Sequence, residues 1–201
     1  MEARQGSGME RPEELPPSDG PVAVDRVFAF VDLSGFTAFT QTSGVKQAVQ
    51  VLASFRLVVS EVAARRGVRV AKWLGDGAML VGVVTGPTVA TVAELVARFS
   101  TTELQLRAGV AQGPVILFNG DDYIGKAVNL AARLCDAAAP GEILAAPPVP
   151  SAAPPWVRVS RTRSIALRGV GRVDDVVSLC LADDVALPPA TATATATADP
   201  S

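Results

Sequence analysis

Histidine is absent from all 201 residues. That excludes Ser-His-Asp triads, imidazole general bases and histidine-based zinc sites. Cysteine is nearly absent. Cys135 and Cys180 make no disulfide framework, and both read as small buried apolar residues of a chain in a reducing compartment. A bound metal would then be a hard cation held by carboxylates, such as Mg²⁺ or Mn²⁺. Aromatic residues make up 5% of the chain and the net charge is −2. A nucleic-acid partner is therefore not expected, because there is neither a basic footprint nor an aromatic stacking surface. No signal peptide is expected either: residues 1–20 are polar and carry Pro12, Pro16 and Pro17. The longest uncharged stretch, residues 77–93, is broken by Gly82, Gly86 and Pro87, so it reads as strand, turn and helix start rather than a membrane span. A cytoplasmic protein without a membrane partner is the expectation.

What is present suits a folded core: 49% hydrophobic and 19% charged residues in a length typical of one domain. Residues 1–21 read as a disordered arm. Residues 183–201, ending in alternating Thr and Ala, read as a low-complexity tail. The domain is expected over residues 22–182. Residues 27–32 form an apolar strand. Residues 45–66 form the clearest helix, with Val45, Ala48, Val49, Leu52, Phe55, Val59, Val62 and Ala63 on one stripe and Gly67 as its cap. Strands at 68–74 and 78–84 flank a hairpin signal, Gly75-Asp76-Gly77. A helix over 88–99, a strand over 104–111, a helix following Asp122, a short strand over 142–145 and a final pair of strands over 157–181 complete the order. The predicted class is α+β, a mostly antiparallel sheet with helices packed on one face.

The candidate chemistry lies at a few polar positions. Asp32 ends an apolar strand and Asp76 sits at a hairpin tip. Each alone is a good turn former. If the two strands are neighbours, the carboxylates meet at one end of the sheet, where they would repel unless a cation joined them. The Leu33 backbone carbonyl could add a ligand. Lys72 sits in an otherwise apolar strand, a position that also suits a solvated side chain. Paired with Asp122, it would offer one donor and one acceptor, matching the N1 and N6 edge of adenine and not that of guanine. Asn129 and Arg133 are four apart and share a helical face. An amide and a guanidinium held there could orient a sugar and stabilise charge on a phosphate.

The segments FAFVDLSGFTAFT (28–40), KWLGDGAMLV (72–81), LRAGVAQGPV (106–115), DYIGKAVNLAARL (122–134), PGEIL (140–144) and LRGVG (167–171) occur in an order that resembles the class III nucleotidyl cyclase catalytic domain. The resemblance implies a ferredoxin-like cyclase fold and conversion of ATP to 3′,5′-cyclic AMP. It implies two divalent cations, Mg²⁺ or Mn²⁺, on Asp32 and Asp76, to which the Leu33 carbonyl could add a ligand. It assigns base reading to Lys72 and Asp122, ribose orientation to Asn129 and transition-state charge to Arg133. It also implies a basic residue for the terminal phosphates, for which Arg168 and Arg172 are the candidates. The family's sites are shared between subunits, so the expectation is a homodimer with composite active sites. The rival expectation is a catalytically silent cyclase-like module that binds nucleotide or a partner.

Overall fold

In the computed structural model, residues 23–118, 122–182 and 185 are described. The expected arm at 1–21, and all of the expected tail except residue 185, lie outside them. The chain runs β1 (Ala23–Leu33), α1 (Phe36–Ser43), α2 (Val45–Arg65), β2 (Arg69–Leu74), β3 (Gly77–Gly82), α3 (Thr85–Arg98), β4 (Leu106–Phe118), β5 (Asp122–Ile124), α4 (Lys126–Ala137), β6 (Ile143–Ala145), β7 (Val157–Leu167) and β8 (Gly171–Leu181). One sheet has the order β2-β3-β1-β4-β6-β8-β7, with β5 hanging from β4. All pairings are antiparallel except β4 with β6, which α4 connects as a crossover.

The α+β, mostly antiparallel arrangement expected from the sequence is present, and its helices divide between the two faces. Alternate residues of a strand point to opposite sides. Val27, Ala29, Val31 and Leu33 therefore join Phe55 and Val59 of α2 and Val92 and Leu95 of α3 in one core. Phe28 turns the other way and joins Met79, Val81 and Ala111 with Ala127, Ala131 and Leu134 of α4. Being covered on both sides, β1 reads as a continuous apolar run rather than an alternating one.

Gly109 explains how closely α4 lies on β4. A Cβ there would stand 2.2 Å from both the Ala131 carbonyl oxygen and the Cys135 nitrogen. Only glycine lets the helix backbone approach the strand to this distance.

Some expectations are corrected. The stripe on α2 is narrower than its apolar residues suggested: Val45 and Val49 are 72% and 58% exposed. By length and composition α2 could cross a membrane, yet it seats Phe55, Val59, Val62 and Ala63 in the sheet core. Cys135 is buried as expected, whereas Cys180 is exposed on β8. A further helix, α1, follows the Ser34-Gly35 turn. Between β6 and β7 the proline-rich residues 147–155 contain a short 3-10 turn, Val149–Ala152. The apolar residues 114–118 continue β4.

Candidate active site

The two candidate metal carboxylates meet at one end of the sheet. Asp32 pairs with Gly77 on β3, the residue after Asp76. The Leu33 N–H donates to the Asp76 carbonyl at 3.2 Å, which locks strand end to hairpin tip. The hairpin is tight because Gly75 takes a left-handed φ of 68° at the first position of its two-residue turn. Gly77 also leaves space for Asp32. A Cβ there would lie 3.1 Å from Asp32 Oδ1.

Arg107 is the residue that sequence reasoning missed. It stands directly across from Asp32 on β4. Its Nε and Nη2 donate to Asp32 Oδ2 at 2.9 and 2.7 Å, and its Nη1 donates to the Asp136 carbonyl at 3.1 Å. A charged residue in a strand of buried Leu106, Ala108 and Val110 was the available signal. Burial raises the Asp32 carboxyl above its ordinary value. The hydrogen bonds from Arg107 oppose the rise, and the nearby charge of Asp76 adds to it. Cys135, beneath this cluster, is pushed up to about 12 by burial and is an inert thiol at neutral pH.

No group of three or more Asp, Glu, His or Cys residues that could hold a metal occurs among the described residues. A pair of carboxylates still fits Mg²⁺ or Mn²⁺. Such ions commonly take one or two protein carboxylates and complete their shell with phosphate oxygens and water.

Lys72 and Asp122 form an ion pair between β2 and the start of β5. A β-bulge makes this possible. The register of β2 on β3 slips between Val70 and Lys72. Val70 and Trp73 pack on the α2 side, while Ala71 packs on the α4 side. Lys72 follows Ala71 to the α4 side, opposite Met79. Regular alternation would have placed Lys72 with Val70. Bulges commonly re-aim one side chain in this way.

On α4, Ala127, Ala131, Leu134 and Cys135 are buried, so Asn129 and Arg133 face outward. They line a cavity of about 550 Å³ with Arg168, Gly169 and Val170. Arg168 thus joins the expected pair. Arg172 does not line it; its Nε donates to Asp174 Oδ1 at 2.9 Å. Arg133 also pairs with Asp136, one turn on, at 2.6 Å. This exposed pair contributes little stability and leaves the guanidinium free to change partner. A second cavity, about 280 Å³, is lined by Asp32, Arg107, Arg133 and Asp136. Within one chain, then, Arg133 borders both cavities, whereas Asn129 and Arg168 border only the first and Asp32 only the second.

This architecture recurs in solved structures. The adenylyl cyclase CyaB from P. aeruginosa superposes with a TM-score of 0.69 at 24% identity, over 80% of this chain and 95% of that one. The catalytic core of a rhodopsin-guanylyl cyclase with converted specificity, in complex with ATPαS, gives 0.71 at 20% identity, over 79% and 98%. The chain has the class III nucleotidyl cyclase fold. In sequence, this cyclase-fold chain is 41% identical over 140 residues, 69% of its length, to an uncharacterized protein of Mycobacterium tuberculosis. It is 34% identical over 131 residues to an adenylate cyclase of Streptomyces coelicolor, covering 63% of this chain. It spans only 37% and 34% of those two relatives. No family model matches the chain.

Proposed function

We propose that this chain is a cytoplasmic adenylate cyclase, converting ATP to 3′,5′-cyclic AMP and pyrophosphate at sites shared between two copies. The observation that carries the reading is the Lys72–Asp122 pair, turned to the α4 side of the sheet by a bulge that also keeps Trp73 packed against Phe55 on the α2 side. A donor beside an acceptor matches adenine, and a guanine edge would leave both groups unpaired. The names of the adenylate cyclase relatives point the same way.

In the proposed reaction the ribose 3′-oxygen forms a bond to the α-phosphorus. The bond from that phosphorus to the bridging oxygen breaks, and pyrophosphate departs. The 3′-hydroxyl proton passes to Asp32 or to water. Asn129 orients the ribose, Arg133 stabilises charge on the α-phosphoryl oxygens, and Arg168 holds the terminal phosphates. Their common cavity supports these roles. Asp32, Asp76 and the Leu33 carbonyl would hold two divalent cations, Mg²⁺ or Mn²⁺, which when bound acidify the 3′-hydroxyl and neutralise triphosphate charge. Asn129 and Asp32 border different cavities of one chain. In this reading, which follows the family resemblance, a complete site takes Asp32 and Asp76 from one copy and Asn129, Arg133, Lys72 and Asp122 from the other. Lys72 and Asp76, on one hairpin, serve opposite sites.

The alternative is a silent nucleotide-binding module, and the Arg107 contact on Asp32 Oδ2 favours it. Purified protein given ATP or GTP with Mn²⁺ or Mg²⁺, with products identified by mass spectrometry, separates the two. Cyclic AMP from ATP supports the enzyme. No cyclic nucleotide from a dimeric sample supports the module.

A further inference from the structure

A cavity outside the proposed nucleotide site lies behind the Asp32 end of β1. It holds about 140 Å³ and sits between β1, α1, α2 and the loop joining α3 to β4. Leu33, Phe39, Phe99 and Leu104 form its buried walls, and Val51 of α2 closes one side. Its polar residues, Ser54, Thr102 and Glu103, are exposed and so stand at the mouth. The Thr102 hydroxyl is already engaged, 2.9 and 2.8 Å from the carbonyl oxygens of Phe99 and Leu104. Protein interiors are close-packed and leave few voids larger than a water. An apolar cavity of about 150 Å³ stays dry and accepts benzene.

We propose that this cavity is a binding site for a compact apolar ligand with a single aromatic ring, and that occupancy is transmitted to the Asp32 end of β1. The ligand class follows from volume and lining: one ring fills the space, and the buried wall offers no polar partner. The route of transmission is short. Leu33 is both a wall of the cavity and the residue whose N–H donates to the Asp76 carbonyl at 3.2 Å. The next residue, Ser34, donates its N–H to the Gln105 carbonyl at 2.9 Å. A ring that shifts the Leu33 side chain therefore bears on both hydrogen bonds and on Asp32, one residue away. The binding site stands without the cyclase reading; only the functional meaning of the transmission rests on it.

The test uses the full-length chain titrated with toluene, followed by amide NMR. Saturable binding of one toluene per chain is expected, with the largest shifts at Leu33, Phe39, Phe99 and Leu104 and further shifts at Ser34 and Gly77. Val51→Phe fills the cavity from α2 and should weaken binding at least tenfold. Ser54→Phe does so from an exposed position that tolerates a larger residue, and it keeps the test open if Val51→Phe fails to fold. No saturation, shifts at other residues, or unchanged affinity in a folded filling variant would overturn the site. Shifts confined to Phe99 and Leu104, with Leu33 and Ser34 unmoved, would overturn the transmission. Cyclic nucleotide production is not among these readouts, so failure of the cyclase reading and failure of this site are told apart.

Discussion

Replacing Gly109 with alanine tests how the fold positions the chemistry. The added Cβ would meet the Ala131 carbonyl oxygen and the Cys135 nitrogen at 2.2 Å and the Leu134 carbonyl carbon at 2.8 Å. Ordinary contact begins at 3.4 Å, so the shortfall is more than 1 Å. All of these atoms are backbone of α4, and none can rotate aside. The helix must retreat from β4 or the strand must bend. Overpacking of a well-packed core costs about 1–3 kcal/mol, and a clash with backbone on both sides belongs at the upper end, about 3 kcal/mol. Urea unfolding of Gly109→Ala should show that loss against wild type. Since α4 carries Asn129 and Arg133, a shift of about 1 Å should also lower kcat roughly 100-fold. KM for ATP should change less, because Lys72 lies on β2 and Asp122 on β5. Gly113→Ala is the control on the same strand. Its Cβ would meet the Ala127 Cβ at 3.5 Å, an ordinary contact. It should stay within about 1 kcal/mol and keep most activity. Equal stability and turnover for both variants would refute the claim that Gly109 sets the seat of α4.

Glu94 is 1% exposed on α3, with Arg65, Arg66 and Arg98 within 2.5–2.7 Å. Burial alone would raise its carboxyl, but hydrogen bonds from Arg98, Arg65 and Arg66 hold it below its ordinary value of 4.5. Its stabilising contribution is therefore full above pH 4.5 and lost as pH falls further. Glu94→Gln should cost about 3 kcal/mol at pH 7, with the difference shrinking below about pH 4.5, as urea melts at several pH values will show. Lys72→Ala and Asp122→Ala should each reduce the ATP-over-GTP preference in kcat/KM by about 10–100-fold, because each leaves its partner unpaired. Mn²⁺ should raise the melting temperature of wild type and not of Asp32→Ala, and a chelator should reverse the rise; equal shifts in both would place the metal elsewhere.

Much of this was legible in the residues. The stripe of Phe55, Val59, Val62 and Ala63 identified α2, and Gly75-Asp76 identified the hairpin, because local periodicity and turn chemistry dictate both. The meeting of Asp32 with the Asp76 turn followed once β1 was placed beside β3. The face of Lys72 was not legible. A bulge changes the parity of a strand, and no local signal in VRVAKWL marks it. The exposure of Val45, Val49 and Cys180 was hidden for a related reason. An apolar side chain records that it can be buried, not whether anything lies opposite. The division of helices between two faces depends on tertiary crossings, although Gly109 and the unbroken apolar run from Val27 to Val31 carried its trace. Arg107 needed only one further step: a charge amid buried β4 residues implies a partner, and the partner is Asp32 on the neighbouring strand.

The central claim is that one complete site is built from two copies of the chain. Asp32→Ala and Asn129→Ala proteins should each form dimers and make no cyclic AMP, since both sites of either homodimer lack an essential group. Mixed in equal amounts and allowed to exchange subunits, they should regain activity, because a heterodimer holds one site with Asp32, Asp76, Asn129 and Arg133 all intact. At random exchange half of the dimers are heterodimers with one working site of two, so recovery should reach roughly a quarter of wild-type turnover. No recovery from folded, exchanging dimers would contradict the shared site.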